Sequence, residues 1–210
     1  MLYLEPEVIS PNTLNLLHRL SKDTVTDGFR LVGGTSLALQ YGHRLSIDLD
    51  FFGPDEFSSE ELARDLNQRY GLIPVSQGKN TLIGIIEGVK VDFIRHPYPW
   101  LTDPIVYEDS LLATDFDIAA MKVNAIVNSG ERVKNFYDVY FLLERFSLGE
   151  IVDAYERKYA HANGMIAMKA LTYFGDIDPD RDPVVMVKKL PFKQVTSRIE
   201  KAALNLSQKF

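Results

Sequence analysis

Apolar and polar residues recur with two different periods along this chain, and the period changes near its middle. From Asn12 to Lys22 leucines return three and four apart, and Ser10-Pro11 ahead of them supplies an N-cap and a first-turn proline, which predicts a short amphipathic helix. Residues 28–34 (GFRLVGG) read as a strand ending in glycines, 35–42 (TSLALQYG) as a short helix and 46–53 (SIDLDFFG) as a second strand. Ser58 with Glu61 three residues on is a capping-box signature for a helix that closes on Gly71. Three strand-like runs follow, LIPVSQ, NTLIGII and VKVDFI, the last two joined by Glu87-Gly88, which suits a tight hairpin turn.

After the proline-rich connection HPYPW and TDP the pattern turns helical. Thr114 with Asp117 is expected to cap a helix over 115–130, residues 131–146 carry their own apolar stripe, and Ser147 with Glu150 caps a segment running to Tyr159. Residues 163–175 and 192–205 read as two more helices around the acidic loop DIDPDRDP. The expected fold class is α+β: a mixed sheet with flanking helices over 1–99, then a helical bundle over 100–210, with a ligand cleft between the halves.

Composition narrows the function. Hydrophobic residues make up 46% and charged residues 25% of 210 positions, as in ordinary globular proteins. There are no cysteines, which removes disulfides, thiolate metal sites and cysteine nucleophiles. No long apolar run follows a basic start, so neither a signal peptide nor a membrane span is expected, and the chain is expected to be cytoplasmic. A net charge of −6 argues against a broad nucleic-acid footprint, leaving a local basic patch at VKKLPFKQVTSRIEK, which reads better as a solvated helix face.

The candidate chemistry lies in GGTSLALQYGHRLSIDLDFF. Asp48 and Asp50, two apart on an expected strand, project to one face while Ile47, Leu49 and Phe51 face the other. Carboxylates that close repel unless a cation lies between them, and hard oxygen donors favour Mg²⁺ or Mn²⁺. Asp92 in VKVDFI is positioned to join them, giving three metal-ligating acids on two strands. Upstream, Gly33 and Gly34 open a helix whose first N–H groups can face an anion, with Thr35 and Ser36 adding hydroxyls and Arg44 offering a bidentate phosphate clamp or a partner for Asp48 or Asp50. An Asp-x-Asp phosphohydrolase shares the acid pair but usually has Thr or Val soon after it, where Phe51-Phe52 follows here and a glycine turn precedes, and a metal-dependent glycosyltransferase shares it but calls for a large sugar-nucleotide domain upstream. A calcium loop at DIDPDRDP is rejected, because Arg181 stands where the turn glycine belongs and Val187 where the bidentate glutamate belongs.

The same stretch resembles nucleotidyltransferases of the polymerase-beta type and, more narrowly, the AbiEii/AbiGii toxin family, in which Gly-Gly-Thr, a His-Arg, a Ser and Asp-x-Asp-Phe-Phe recur in this order. DIAAMKVNAI, KNFYDVYFLL and ALTYFGDIDPDRDPVVMVKKLPFKQV look like that family's helical half. The resemblance implies NMP transfer from ATP, GTP, CTP or UTP, with Gly33, Gly34 and Thr35 on the triphosphate, and Asp48, Asp50 and Asp92 on the metal. Lys122 and Asp138 match its helical motifs. It also implies an acceptor such as tRNA, another RNA or a protein, and growth inhibition or abortive infection balanced by an antitoxin encoded nearby. The alternative is a module that keeps the fold and binds nucleotide or a partner without turnover.

Overall fold

The structure is a computed structural model describing residues 1–210. Its contacts separate two units, Met1–Tyr98 with Asp103–Thr114, and Pro99–Thr102 with Asp115–Phe210. In the first, helix α1 (Pro11–Ser21) begins on Ser10, whose hydroxyl accepts the Thr13 N–H. Strand β1 (Arg30–Leu31) is separated by one residue from helix α2 (Gly33–Tyr41), and β2 (Leu49–Gly53) follows. Helix α3 (Ser59–Tyr70), capped by Ser58, leads into the meander β3 (Ile73–Gly78), β4 (Thr81–Ile86) and β5 (Val89–Arg95). The β4–β5 turn is the expected Glu87-Gly88, both residues at positive φ.

A hairpin not expected from the sequence completes this unit: β6 (Ile105–Tyr107) and β7 (Ser110–Leu112). The sheet order is β3-β4-β5-β2-β1-β7-β6, with β2 parallel to β5 and β1 parallel to β7. Residues 103–114, expected in the helical half, therefore extend the sheet instead. Strands of three residues show too little alternation to stand out beside prolines.

One sheet face carries the core. Leu49, Phe51, Val91 and Phe93 are buried in a cluster with Leu16, Leu17 and Leu20 of α1 and Leu62 and Leu66 of α3. Phe51 and Phe93, opposite each other on β2 and β5, stack at 5.1 Å. Burying each such side chain contributes about 1.5–3 kcal/mol, which ties the register of the central strands to the helices. The alternate residues Asp50 and Phe52 on β2, and Lys90 and Asp92 on β5, therefore project from the other face.

The second unit contains α4 (Asp115–Ser129), α5 (Val133–Leu142), α6 (Leu148–Lys158), α7 (Gly164–Leu171) and α8 (Phe192–Leu204). The capping box at Ser147 and Glu150 is fully formed. Asp117, expected as part of a cap, is instead a buried anchor. Its carboxylate accepts the N–H groups of Leu101 (3.0 Å) and Thr102 (3.1 Å) and the Thr102 hydroxyl (2.9 Å). Lys158 Nζ lies 2.8 Å from Asp117 and donates to the Pro99 carbonyl at 2.8 Å, with the Trp100 ring 4.6 Å away. Both charged side chains are 0% exposed, so the pair fastens the connection Pro99–Thr102 to this unit.

Removing one member of a buried, hydrogen-bonded pair leaves the other uncompensated, at a cost of roughly 3–5 kcal/mol. Lys158→Ala is expected to lose that much stability in urea unfolding followed by the fluorescence of Trp100, the single tryptophan. A loss below about 1 kcal/mol would contradict the anchoring role.

Candidate active site

The glycine turn and the acids are built as one piece. Gly33 takes φ +67° at the first position of α2, and a β-carbon there would lie 2.5 Å from Asp50 Oδ2. L-residues pay about 1–2 kcal/mol for that left-handed backbone, and the carboxylate occupies the remaining space. At Gly34 a β-carbon would collide with the Arg44 guanidinium. Arg44 is 4% exposed and also donates to the Leu45 carbonyl at 3.1 Å. Consecutive glycines thus admit a carboxylate and a guanidinium beside the start of one helix, where Val32 provides no side-chain cap.

Backbone pairing fixes the acids. The Asp50 carbonyl accepts the Val32 N–H at 2.8 Å, and Asp50 stands directly opposite Asp92 in the parallel β2–β5 register. Neighbouring strands are about 5 Å apart, so the two carboxylates leave the sheet side by side. Asp92 is 7% exposed; Lys90 Nζ contacts its Oδ2, while its Oδ1 is buried without a hydrogen-bond partner. A buried carboxylate oxygen with no donor suits a cation or an ordered water, so the donor chemistry of Asp50 and Asp92 fits a hard divalent ion.

Three expectations need correction. Asp48 precedes β2 rather than lying in it, and no three acidic or histidine side chains converge as a ligating group, so Asp48, Asp50 and Asp92 do not form a ready three-acid cluster in this structure. Thr35 is 1% exposed; its hydroxyl contacts the Asp48 carbonyl and lies 2.8 Å from Ser46 Oγ, so it positions Asp48 rather than facing an anion. Ser36 is fully buried, donating to the Ala113 carbonyl at 2.9 Å, a carbonyl that Gln40 also binds at 3.0 Å. Its hydroxyl bolts α2 to the residue after β7 and is not a nucleotide ligand.

Lys122 and Asp138 meet within the helical unit, with Lys122 Nζ 2.7 Å from Asp138 Oδ2 and 3.2 Å from Asn135 Oδ1. Asp138 is fully buried. Asn135 and Lys90, both part of these pairings, were missed at the sequence level. A lysine two residues before an acid on a strand is a detectable signal, since the two share a face; Asn135 carries none.

A family model described as "Nucleotidyl transferase AbiEii toxin, Type IV TA system" matches residues 15–104, which span the glycine turn and all three acids. An uncharacterised protein of Aquifex aeolicus, aq_aa25, is 37% identical over 158 residues, covering 72% of this chain and 76% of that protein. The chain belongs to the AbiEii nucleotidyltransferase family. It is a nucleotidyltransferase of the kind associated with toxin–antitoxin systems. Two solved structures share the AbiEii chain's fold at low identity. A candidate nucleotidyltransferase from H. pylori has a TM-score of 0.59 at 15% identity, covering 94% of this chain and 96% of that one. JHP933 from Helicobacter pylori has a TM-score of 0.58 at 16% identity, covering 95% and 93%. No helix is long and apolar enough to cross a membrane.

The Gly33–Asp50 contact is testable against Gly71, which has a similar φ of +69° but open space around its missing β-carbon. Gly71→Ala is expected to cost about 1–2 kcal/mol from backbone strain alone. Gly33→Ala should cost at least about 1 kcal/mol more, because the Asp50 carboxylate must move. Equal losses in denaturant unfolding would show that the carboxylate contact is unimportant.

Proposed function

We propose that Gly33, Gly34, Asp50 and Asp92 form the centre of a site that binds a nucleoside triphosphate with Mg²⁺ or Mn²⁺ and transfers nucleoside monophosphate to an acceptor. The main support is the contact that packs the Asp50 carboxylate against Gly33, because it joins an anion-receptive helix start to an acid pair. Phosphate oxygens would meet the open N–H groups at the start of α2, and the Arg44 guanidinium beside Gly34 would add positive charge there. Asp50 and Asp92 would hold the cation. When bound, the cation neutralises triphosphate charge and lowers the pKa of the acceptor oxygen.

In the step itself the acceptor oxygen bonds to the α-phosphorus as the bond to the β-bridging oxygen breaks, and that electron pair leaves with pyrophosphate. Asp92 would take the acceptor proton. Lys122 and Asp138, paired within the helical unit, would be further functional residues, as the family's helical motifs imply. The acceptor we infer is RNA, a tRNA end included, with a protein side chain as the competing acceptor. The physiological setting would be a growth-inhibiting toxin in an abortive-infection system, restrained by an antitoxin encoded beside it.

Each of ATP, GTP, CTP and UTP, labelled at the α-phosphate, is to be incubated singly with the protein, Mg²⁺ and total RNA. Label is expected in RNA with one or more nucleotides, and Asp50→Asn or Asp92→Asn should lower it by on the order of 1,000-fold while the far-UV spectrum is unchanged. Label in the protein would redirect the acceptor. Conversion of the triphosphate to labelled diphosphate or monophosphate without transfer would favour a phosphohydrolase, and binding without turnover an inactive module; undiminished transfer by both variants would refute the site.

A further inference from the structure

Asp92 is held by two unequal arrangements at its two oxygens. Oδ2 is in contact with Lys90 Nζ, whereas Oδ1 is buried with no partner. The carboxylate is 10% exposed, but the lysine side chain that holds it is 45% exposed. Flanking Asp92 in the sheet are Asp50 on β2, Ile83 on β4, and Lys90 and Ile94 two residues away on β5. Lys90 is the one cation among them. Ile85, opposite Lys90 on β4, is 38% exposed and brings no charge.

A carboxylate this buried beside a second acid requires a positive charge nearby. An ammonium on a flexible four-carbon stem is a point charge with no fixed geometry. It can therefore neutralise Asp92 and still withdraw toward solvent. An arginine fork or a fully enclosed lysine, such as Lys158 beside Asp117, lacks that freedom.

We propose that Lys90 is a built-in substitute cation: it orients Asp92 and competes with a divalent ion for the same carboxylate, so that it sets how much metal the site needs. Lys90 is a positioning residue and does not touch the reacting atoms. The proposal rests on the assignment of Asp50 and Asp92 as metal-holding acids, and its test separates the two.

Mn²⁺ binding to the full-length protein is measured by the loss of the free-ion electron paramagnetic resonance signal, without nucleotide, for wild type, Lys90→Met, Lys90→Gln, Lys90→Arg and Asp92→Asn. Removing a like charge a few ångströms from the ion should tighten binding by on the order of 10-fold in Lys90→Met and Lys90→Gln. Lys90→Arg should keep wild-type or weaker affinity, and Asp92→Asn should lose binding. The metal-free thermal midpoint of Lys90→Met should fall and its rise on adding Mn²⁺ should exceed that of wild type. Lys90→Gln serves should Lys90→Met fail to fold. Equal Mn²⁺ affinity in wild type and the neutral variants overturns the proposal and leaves the acid site standing. Absence of Mn²⁺ binding by every folded variant overturns both.

Discussion

A β-carbon at position 33 would sit where the Asp50 carboxylate does, and the geometry around the turn depends on that exclusion. The Asp50 carbonyl, through Val32, holds the end of β1 to β2, so the side chain cannot back away without breaking a strand pair. Asp50 in turn stands opposite Asp92, and the stacked Phe51 and Phe93 next along the same strands lock that register from the core side. A shift by one residue would exchange acids for phenylalanines in the core. Hydrophobic burial on one face thus determines where charge appears on the other, with Gly33 as the point where helix and acid touch.

Three lysine–aspartate pairs show how exposure separates structural from exchangeable charge. Lys158 and Asp117 are sealed, and backbone groups satisfy what the ion pair leaves over. Lys122 and Asp138 are intermediate, with the carboxylate fully buried, the lysine 11% exposed and Asn135 taking a further bond. Lys90 and Asp92 are the open extreme, with an exposed lysine and an orphaned oxygen. Desolvation makes the first pair costly to break, because neither ion can return to water alone. The third can come apart cheaply, since water receives the ammonium and another cation can receive the carboxylate.

Much of this was legible in the sequence, for identifiable reasons. Helices capped by Ser10, Ser58 and Ser147 start where side-chain chemistry says they should, because a cap is a local interaction readable from a few residues. The Glu87-Gly88 turn was readable for the same reason. Residues 103–114 were not, since β7 exists through its parallel pairing to β1, a contact remote in sequence. Gly33, Gly34, Asp48 and Asp50 were legible as a glycine turn followed by an acid pair, but their residue types did not show that α2 begins at Gly33 itself or that Asp48 precedes the strand. Thr35 and Ser36 looked like anion donors because their residue types suit that role. Their partners, the Asp48 and Ala113 carbonyls, are tertiary and gave no sequence signal.

The inward turn of those two hydroxyls constrains the chemistry proposed for the site. With Thr35 and Ser36 committed to holding the Asp48 and Ala113 backbone, the phosphate-binding role proposed above falls to main-chain N–H donors at the start of α2 and to the Arg44 guanidinium packed beside Gly34. Such groups recognise phosphate oxygens by charge and direction. They make no contact that distinguishes one base from another, since every nucleoside triphosphate presents the same phosphates. Choice among nucleotides must then come from side chains outside the turn, and substitutions that preserve the turn can alter that choice without disturbing the acids. In that proposal selectivity and chemistry are separable: the glycines, Asp50 and Asp92 are bound together by one sheet register, and the groups facing the phosphates do not read the base.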